Sequence, residues 1–323
     1  MNAWPSPHVL ALPDRGYGPI DIAVHEAGAG TPVIFVHGFP ELAYSWRSQV
    51  SAVSDAGFRA IAPDMRGYGN SSAPPEMEAY DLGALCGDLV DVCDALEIEA
   101  AVFVGHDWGG GVTWAMPALH PDRVLGLVGL CTPYMSFPTT DVLRAVFAPE
   151  NDDDHYMLWF QKPGVAESVL DEHVALLFDR LMRRGAETRP EDFGASATTK
   201  MNPFRDLASL ATIGEPLGDE ASREFFVRTF QRTGFRGGIN WYRNMDRNAE
   251  RYPEIAKGDP GVPCLMLCAE LDPVLPPTLA ANMPNQIADL EMATIDGSGH
   301  WLQQDRPEEV NSTLIRWLNT RFA

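Results

Sequence analysis

Residues 101–115 read Ala-Val-Phe-Val-Gly-His-Asp-Trp-Gly-Gly-Gly-Val-Thr-Trp-Ala, and this stretch decides the fold. Ala101–Val104 has the apolar character of a buried strand, and a helix is predicted from Val112 onward. Between them, Gly105, Asp107 and Gly109 form a Gly-x-Asp-x-Gly pattern. That pattern is typical of a nucleophile elbow, a sharp strand-to-helix turn that holds one side chain above a sheet. Glycines allow the backbone of such a turn to pack closely.

The aspartate at the apex of the predicted turn determines the chemistry. A serine there would attack carbonyl carbon, whereas the carboxylate of Asp107 is a poor acylating nucleophile. A carboxylate can instead displace a leaving group from a saturated carbon and form an ester, which water can hydrolyse at its own carbonyl. An alkylated serine would be a dead-end ether. Because no Gly-x-Ser-x-Gly pattern occurs in the chain, a serine-type esterase is disfavoured.

Composition excludes some classes of partner. The chain has 323 residues, 45% of them hydrophobic, which is enough for one large α/β domain with an insertion or for two domains. The 45 acidic and 24 basic residues give a formal charge of -21. This charge argues against nucleic acid or an anionic membrane as a partner.

The cysteines and the N-terminus point to a cytoplasmic protein. The five cysteines have no metal-ligand or small-disulfide spacing and are predicted to be buried free thiols: Cys86, Cys93, Cys131, Cys264 and Cys268. The N-terminal residues lack the basic and apolar regions of a signal peptide, and no apolar run approaches membrane-spanning length. The sequence leaves the oligomeric state open between a monomer and a homodimer.

Strand and helix patterns alternate as in an α/β protein with a mostly parallel central sheet flanked by helices. Eight strands are predicted: His8–Leu12, Ile20–Glu26, Val33–Val36, Arg59–Ala62, Ala101–Val104, Val124–Leu130, Val262–Cys268 and Leu290–Ile295. Apart from the elbow helix, which is predicted from Val112, the core helices are predicted at Trp46–Ser54, Leu82–Leu96 and Pro307–Phe322.

The alternation stops between the sixth and seventh strands. From Pro133 to about Pro260 no convincing buried strand is found, and three helices are predicted: Ala166–Met182, Asp219–Arg232 and Gly238–Arg251. We therefore expect residues 1–132 and 261–323 to form the two parts of one core, and residues 133–260 to form a helical cap, or lid.

Two further polar residues follow core strands. Asp272 comes after the seventh strand and His300 after the eighth, so both lie at the carboxyl end of the sheet, where parallel sheets hold ligands. The chain order Asp107, Asp272, His300 is the nucleophile–acid–base order of the elbow fold. Glu270 is the fallback for the acid. His37 and His106 are predicted to be structural.

Several motifs together resemble the soluble epoxide hydrolase family of α/β-hydrolases, without an attached phosphatase domain. They are His37-Gly38-Phe39-Pro40, Gly105-His106-Asp107-Trp108-Gly109, the run 156–167 (YMLWFQKPGVAE), Asn240-Trp241-Tyr242-Arg243-Asn244 and Gly299-His300-Trp301. The first two are shared with haloalkane dehalogenases. The two cap motifs are more specific, since they resemble the segments that carry the family's pair of epoxide-polarising tyrosines. One departure is Trp159, where many relatives carry a second tyrosine.

The resemblance implies conversion of epoxides and water to vicinal diols, without a metal or organic cofactor. By the match, Tyr156 and Tyr242 hold the epoxide oxygen while Asp107 attacks carbon. His300, oriented by Asp272, then activates the water that hydrolyses the ester.

Three residues are expected around the reacting atoms. The backbone N–H groups of Phe39 and Trp108 are placed for an oxyanion hole, and Phe39, Trp108 and Trp301 are expected to line the pocket. The sequence does not fix the isomer of the Phe39–Pro40 bond.

Two other functions are weighed against this one. A haloalkane dehalogenase would use the same aspartate, but a departing halide needs N–H donors rather than the proton of a tyrosine. A non-catalytic binding protein of the same fold would usually lack one member of the triad, and all three are present here.

Overall fold

The computed structural model describes residues 4–185, 202–210 and 212–323. Within them the chain builds one eight-stranded sheet from β1 (His8–Leu12), β2 (Ile20–Ala27), β3 (Pro32–Val36), β4 (Arg59–Pro63), β5 (Ala101–His106), β6 (Val124–Leu130), β7 (Cys264–Ala269) and β8 (Leu290–Ile295). The strand order is β1-β2-β4-β3-β5-β6-β7-β8. Each predicted strand is present, and no boundary differs from the prediction by more than two residues.

The sheet is parallel except at one edge. β1 pairs antiparallel with β2, and β2 antiparallel with β4, while the six strands from β4 to β8 in spatial order are parallel. Strands β5 and β7 are buried along their whole length, as expected for strands covered on both faces. This architecture is the predicted α/β fold with a mostly parallel sheet.

Helices cover both faces of the sheet. The core helices are α1 (Arg47–Asp55), α2 (Leu82–Ala95), α3 (Trp108–Leu119), α11 (Leu302–Asp305) and α12 (Pro307–Phe322). Apolar residues of α2 and α3 pack in the cluster on one face, and those of α1 and α12 pack in the cluster on the other. The five cysteines are all buried and free.

The helix after the elbow begins four residues earlier than predicted, at Trp108 instead of Val112. Its first turn contains Gly109, Gly110 and Gly111, whose low helix propensity hid the start of the helix. Close packing requires glycine here in spite of that propensity. A Cβ on residue 109 would lie 2.0 Å from the carbonyl oxygen of Val36, so only glycine lets the helix begin this close to β3.

The segment between β6 and β7 contains helices in the parts that the structure describes. They are α4 (Thr140–Phe147), α5 (Tyr156–Trp159), α6 (Val165–Glu172), α7 (Val174–Leu181), α8 (Glu220–Thr233), α9 (Arg236–Arg243) and α10 (Met245–Arg251). In those same residues the only strand-like pairing is an isolated bridge between Arg183 and Pro216. None of the described helices of the chain is long and apolar enough to cross a bilayer.

Two of the helices predicted between β6 and β7 are each divided into two shorter helices in the structure. The predicted helix over residues 166–182 is interrupted at His173 (φ −119°, ψ 29°), and the one over 238–251 is interrupted at Asn244. Asn244 donates its side-chain amide to the carbonyl oxygens of Met77 and Asn240, which holds the chain at the break. Apolar periodicity continues across both breaks, so the pattern alone predicted single helices. Helices α4 and α5 were not predicted.

Gly105 tests how closely the elbow must pack. In Gly105→Ala the new Cβ would lie 2.2 Å from the carbonyl oxygen of Gly109 and 2.4 Å from Thr113 Oγ1. We expect the free energy of unfolding to fall by about 1–3 kcal/mol, the usual cost of overpacking a dense core. Urea denaturation measures the change.

Gly87→Ala in α2 is the matched control, because the nearest atom to its Cβ would be Arg15 Nε at an ordinary 3.4 Å. Alanine in a helix interior is favoured over glycine by roughly 0.5–1 kcal/mol. The control variant should therefore be at least as stable as the wild type. Equal losses in the two variants would contradict the predicted role of close packing at the elbow.

Candidate active site

Asp107 lies at the apex of a strained turn between β5 and α3. Its backbone has φ 53° and ψ −126°, a conformation that non-glycine residues rarely adopt. The hydroxyl of Thr132 donates to the Asp107 carbonyl oxygen at 2.7 Å and fixes the turn from the end of β6. A Cβ on Gly38 would lie 2.5 Å from Asp107 Cβ, so the neighbouring loop approaches as closely as backbone allows.

The three residues of the predicted triad lie together at the carboxyl edge of the sheet. His300 Nδ1 is 2.8 Å from Asp272 Oδ2, and His300 Nε2 is 3.6 Å from Asp107 Oδ2. The imidazole thus lies between two carboxylates. This is the geometry in which a histidine oriented by one acid can act on a group bound to the other.

Asp272 is held as a buried carboxylate. Its Oδ1 accepts hydrogen bonds from the amides of Val274 (2.8 Å) and Leu275 (2.9 Å), which leaves Oδ2 for His300. Burial by itself would raise the pKa of Asp272, but the charge and hydrogen bond of His300 outweigh it and the pKa falls to about 2. The fallback acid Glu270 instead accepts a bond from the amide of Gly297 at 2.7 Å.

His300 is shifted toward its charged form. Burial lowers the pKa of His300, but Asp272 and Asp107 act in the opposite direction and the net pKa lies well above the usual histidine value. The carbonyl oxygen of His300 accepts from His106 Nε2 at 2.7 Å and from the Leu302 amide at 2.9 Å. The ring and the backbone of the residue are therefore both fixed.

Oxygen Oδ1 of Asp107 points away from His300. It accepts a hydrogen bond of 2.8 Å from the amide of Phe39, one of the two predicted oxyanion donors. The Phe39–Pro40 bond is cis. The other predicted donor, the amide of Trp108, is the first of α3 and follows Asp107 directly in the chain.

Tyr156 and Tyr242 are buried neighbours whose rings pack edge to face, close enough to Asp107 for its charge to act on both phenols. Their ring centroids are 5.8 Å apart, and the Tyr242 ring is 5.4 Å from Phe39 and 5.1 Å from Trp108. Burial raises the pKa of both tyrosines well above the usual value, and the negative charge of Asp107 adds to that effect. Both phenols therefore stay protonated over the physiological pH range and remain available as donors.

The two helices that carry the tyrosines are tied to each other. Gln161, which follows α5, donates to the carbonyl oxygens of Met157 (2.8 Å) and Tyr242 (3.0 Å). Arg243 forms a 2.6 Å ion pair with Glu167 and donates to the Phe160 carbonyl oxygen at 2.8 Å. The polar residues of the two cap motifs thus act as cross-links that set the spacing of the hydroxyls.

Aromatic rings enclose the site. Trp301 lies against His300 with ring centroids 4.9 Å apart, and its indole N–H donates to the Leu181 carbonyl oxygen at 2.7 Å. The site is lined further by rings within 6 Å of Phe39, Tyr156 or Tyr242: Trp108, Phe160 and Phe204. The three predicted pocket residues, Phe39, Trp108 and Trp301, all contact this enclosure.

Sequence reasoning missed a buried ion pair under the site. His106 Nδ1 is 2.7 Å from Glu41 Oε2, and both side chains are fully buried. Glu41 also accepts from the amide of Gly38 (3.0 Å) and from Gln303 Nε2 (2.7 Å). Burial would raise the pKa of Glu41, but His106 and the Gly38 amide lower it to about 2. The only signal in the sequence was the acid directly after His37-Gly38-Phe39-Pro40.

His106 links Glu41 to the loop that carries His300. Its Nε2 faces a carbonyl oxygen, that of His300, and its Nδ1 faces an ionised carboxylate. Each ring nitrogen therefore has an oxygen partner, and the ring is fixed at both ends. His37, in contrast, accepts from the Met65 amide at Nε2 (3.0 Å), and burial lowers its pKa. Both histidines have the structural role that was predicted.

Within the described part of the chain, one group of side chains has the spacing of a metal-ligand set. It consists of His106, Cys131 and His300, whose ligand atoms lie within 4.8 Å of one another. Hydrogen bonding explains why these side chains lie close together. His106 Nε2 and Cys131 Sγ both donate to the same acceptor, the His300 carbonyl oxygen. Burial keeps the thiol of Cys131 protonated by raising its pKa well above the usual value.

Comparison with known proteins supports a single family. Residues 31–307 match the family with the alpha/beta hydrolase fold. Epoxide hydrolase A of Mycobacterium tuberculosis is 40% identical over 310 residues, which cover 93% of this chain and 94% of that protein. Bifunctional epoxide hydrolase 2 of Sus scrofa is 42% identical over 303 residues, but the chain spans only 52% of its length.

Solved structures agree with the sequence relatives. The crystal structure of epoxide hydrolase A from Mycobacterium thermoresistibile superposes with a TM-score of 0.87 at 37% identity, covering 97% of this chain and 98% of that one. Epoxide hydrolase VrEH1 from Vigna radiata gives a TM-score of 0.81 at 28% identity, with 98% of both chains covered.

The Glu41–His106 pair predicts a defined pH dependence of stability. At neutral pH, Glu41→Gln should lower the free energy of unfolding by about 3–5 kcal/mol, because it removes the charged partner from a fully buried, hydrogen-bonded pair. The pKa of Glu41 lies at about 2, below its ordinary value of 4.5. Its stabilisation is therefore present above about pH 4.5 and is lost as the pH falls towards 2. Urea unfolding across this range should show the two proteins converging.

Asp289→Asn is the control for this experiment. Asp289 pairs with Arg321 at 2.7 Å on the exposed surface, where such pairs contribute up to about 1 kcal/mol. The control variant should differ little from the wild type at any pH. A constant difference between Glu41→Gln and the wild type from pH 7 down to 2 would refute the assignment.

Proposed function

Because the chain belongs to the epoxide hydrolases of the α/β-hydrolase family, we propose that it opens epoxides with water and releases vicinal diols. The observation that carries this proposal is the position of Asp107 Oδ2, which is open towards His300 Nε2 at 3.6 Å and lies beneath two buried tyrosines. A nucleophile, a base and two acids thus meet in one aromatic enclosure. Asp107, His300, Asp272, Tyr156 and Tyr242 are the proposed catalytic residues.

The first half-reaction forms an ester. Oδ2 of Asp107 attacks an epoxide carbon from behind, and the bond from that carbon to the ring oxygen breaks. Tyr156 and Tyr242 donate to this oxygen, and one of them gives it a proton. Interactions of this kind strengthen as charge develops on the oxygen, so they stabilise the transition state more than the bound substrate.

The second half-reaction hydrolyses the ester. Alkylation at Oδ2 leaves Oδ1 as the ester carbonyl oxygen, and Oδ1 already accepts from the Phe39 amide at 2.8 Å. Water attacks the carbonyl carbon, the oxyanion forms on Oδ1, and the amides of Phe39 and Trp108 stabilise it. The ester bond to Oδ2 then breaks, so the diol leaves with Oδ2 and the aspartate keeps the oxygen of the water.

The electrostatics of His300 couple the two halves. In the free enzyme both Asp272 and Asp107 raise its pKa, which favours imidazolium. Alkylation removes the charge of Asp107 and with it one cause of that rise. The pKa of His300 therefore falls when the ester forms, and the neutral imidazole that can take a proton from water is favoured at the step that needs it.

The protons balance over the cycle. A tyrosine gives its proton to the ring oxygen and becomes a phenolate, and the proton that His300 releases as its pKa falls restores the tyrosine. Neutral His300 then takes a proton from the attacking water and passes it to the departing alkoxide. Hydrolysis leaves Asp107 as a carboxylic acid, and its proton returns to His300 and restores the imidazolium. The sum is one epoxide and one water converted to one diol.

A haloalkane dehalogenase is the second candidate function. It would use Asp107 and His300 in the same way, but the enclosure above Asp107 presents two phenols with raised pKa values. Those groups suit an oxygen that must be protonated. Release of bromide from a bromoalkane without diol formation from a styrene-type epoxide would reverse this ranking.

We propose the cytoplasm as the compartment, since the five cysteines are free and buried and disulfides persist in oxidising compartments.

Oxygen labelling tests the covalent cycle directly. In a single turnover in ¹⁸O-water with enzyme in excess, the diol should contain no heavy oxygen, because its new hydroxyl is Oδ2 of Asp107. Repeated turnover should load the label into Asp107 and then into product. The measurement is mass spectrometry of the diol and of the peptide that contains Asp107. Label in the diol on the first turnover would mean that water attacks the epoxide directly.

Replacement of the tyrosines tests the acid. Tyr156→Phe and Tyr242→Phe should each slow ester formation by about 10–10²-fold. The double variant should lose about 10²–10⁴-fold, the usual range for general acid catalysis. Ester hydrolysis should change by only a few fold, because the acid acts in the first half-reaction. Stopped-flow fluorescence with a styrene-type epoxide separates the two rates.

Tyr80→Phe is the control, since Tyr80 is a buried tyrosine that donates to the Pro74 carbonyl oxygen in the core. Both half-reactions should keep their wild-type rates in this variant. If loss of either cap hydroxyl slows hydrolysis as much as ester formation, the assignment of the two tyrosines as acids is wrong.

A further inference from the structure

Asp305 joins the cap to the loop that carries His300. One carboxylate oxygen, Oδ2, accepts from the amide of Gly185 at 2.7 Å and from the amide of Gly299 at 2.8 Å. Gly185 belongs to the segment that follows α7, and Gly299 directly precedes His300. The side chain is fully buried, so no solvent competes for these bonds. A single oxygen thus holds two chain segments that are more than 100 residues apart.

The backbones of Gly185 and Gly299 are in direct contact, with no room for a side chain between them. A Cβ on Gly185 would lie 2.2 Å from the nitrogen of Gly299, and one on Gly299 would lie 2.8 Å from Gly185 Cα. A second bond reinforces the junction, since the indole of Trp301 donates to the Leu181 carbonyl oxygen at 2.7 Å. The residues on either side of His300 are therefore both fastened to the cap.

Charge at this junction is balanced locally. Oδ1 of Asp305 lies 3.1 Å from Arg306 Nη1 and 3.6 Å from Arg184 Nη1. Arg184 also donates to the Asp305 carbonyl oxygen at 3.0 Å, so the cap segment contacts both the side chain and the backbone of Asp305. The ion pairs use one oxygen of the carboxylate and the two glycine amides use the other.

We propose that Asp305 is a positioning residue, which clamps the cap segment 183–185 to the catalytic loop and so holds His300 in place for ester hydrolysis. This inference rests on the proposed function. Asp305 touches neither the epoxide nor the reacting atoms. It acts through Gly299, the residue before His300, and its effect falls on the half-reaction in which His300 is the base.

The expected kinetics follow from the different residues that act in the two half-reactions. Ester formation depends on Asp107 and the two tyrosines, whose positions are set by the elbow and by α5 and α9. Loss of the clamp should leave ester formation within about threefold of the wild-type rate and slow hydrolysis by about 10–100-fold. Small displacements of catalytic groups have effects of this size. The ester should accumulate, and kcat and KM should fall together.

The experiment compares Asp305→Ala with Gly185→Ala. The first variant removes the acceptor, and the second separates the two segments from the cap side while every core residue is kept. Gly185→Ala covers the case in which Asp305→Ala does not fold. Stopped-flow measurement of the two half-reactions with a styrene-type epoxide is combined with hydrogen exchange of peptides covering 181–185 and 297–301.

Asp259→Ala is the matched control. Asp259 also accepts two amides from separate segments, those of Gly261 (2.9 Å) and Ala288 (3.1 Å), but before the first residues of β7 and β8 rather than at the carboxyl edge. It should keep wild-type half-reactions and wild-type exchange in both peptides.

The possible results distinguish failure of the Asp305 inference from failure of the proposed function. Slower hydrolysis with faster exchange in both peptides supports the inference. Equal slowing of the two half-reactions, or unchanged exchange in either peptide, overturns it. If the wild type forms no ester, the proposed function fails, and the exchange data still decide whether Asp305 holds the two segments together.

Discussion

The structure depends on one close approach of backbone to backbone at Asp107. The residue occupies φ 53° only because its surroundings leave no alternative. Gly38 has no side chain that would collide with its Cβ, Gly105 packs against the first turn of α3, and Thr132 donates to its carbonyl oxygen. Each contact requires the smallest side chain or one well-placed hydroxyl. The strain is offset by packing over three strands, and the result is a carboxylate whose two oxygens face different partners.

Buried charge is arranged in two layers beneath and around that carboxylate. The outer layer is the triad, in which His300 lies between Asp107 and Asp272. The inner layer is the Glu41–His106 pair, which contacts Gly38 on one side and the His300 backbone on the other. A buried pair of this kind contributes little net stability compared with apolar packing. Its value here is geometric, because it connects the loop that carries Gly38 to the backbone of His300.

Much of this arrangement could be predicted from the sequence. The features that could not be predicted depend on contacts between residues far apart in the chain. Strands such as Val124–Leu130 could be predicted because a short apolar run between turn residues is a local pattern, which needs no knowledge of distant contacts. The triad was predicted because each member follows a strand or marks the elbow. Asp305 and Glu41 could not be assigned, since their roles come from partners distant in the sequence. The break at Asn244 also escaped, because it depends on a contact with Met77.

The cross-links around α9 bear on how far the two phenols can move apart. Gln161 and Arg243 join α9 to the end of α5, and the Arg243–Glu167 pair joins α9 to α6. Any movement that separates the two phenols has to break these bonds, so their spacing is set inside the segment that carries them. Trp241 and Asn244 also donate to the Arg66 and Met77 carbonyl oxygens, which holds the same segment against the core.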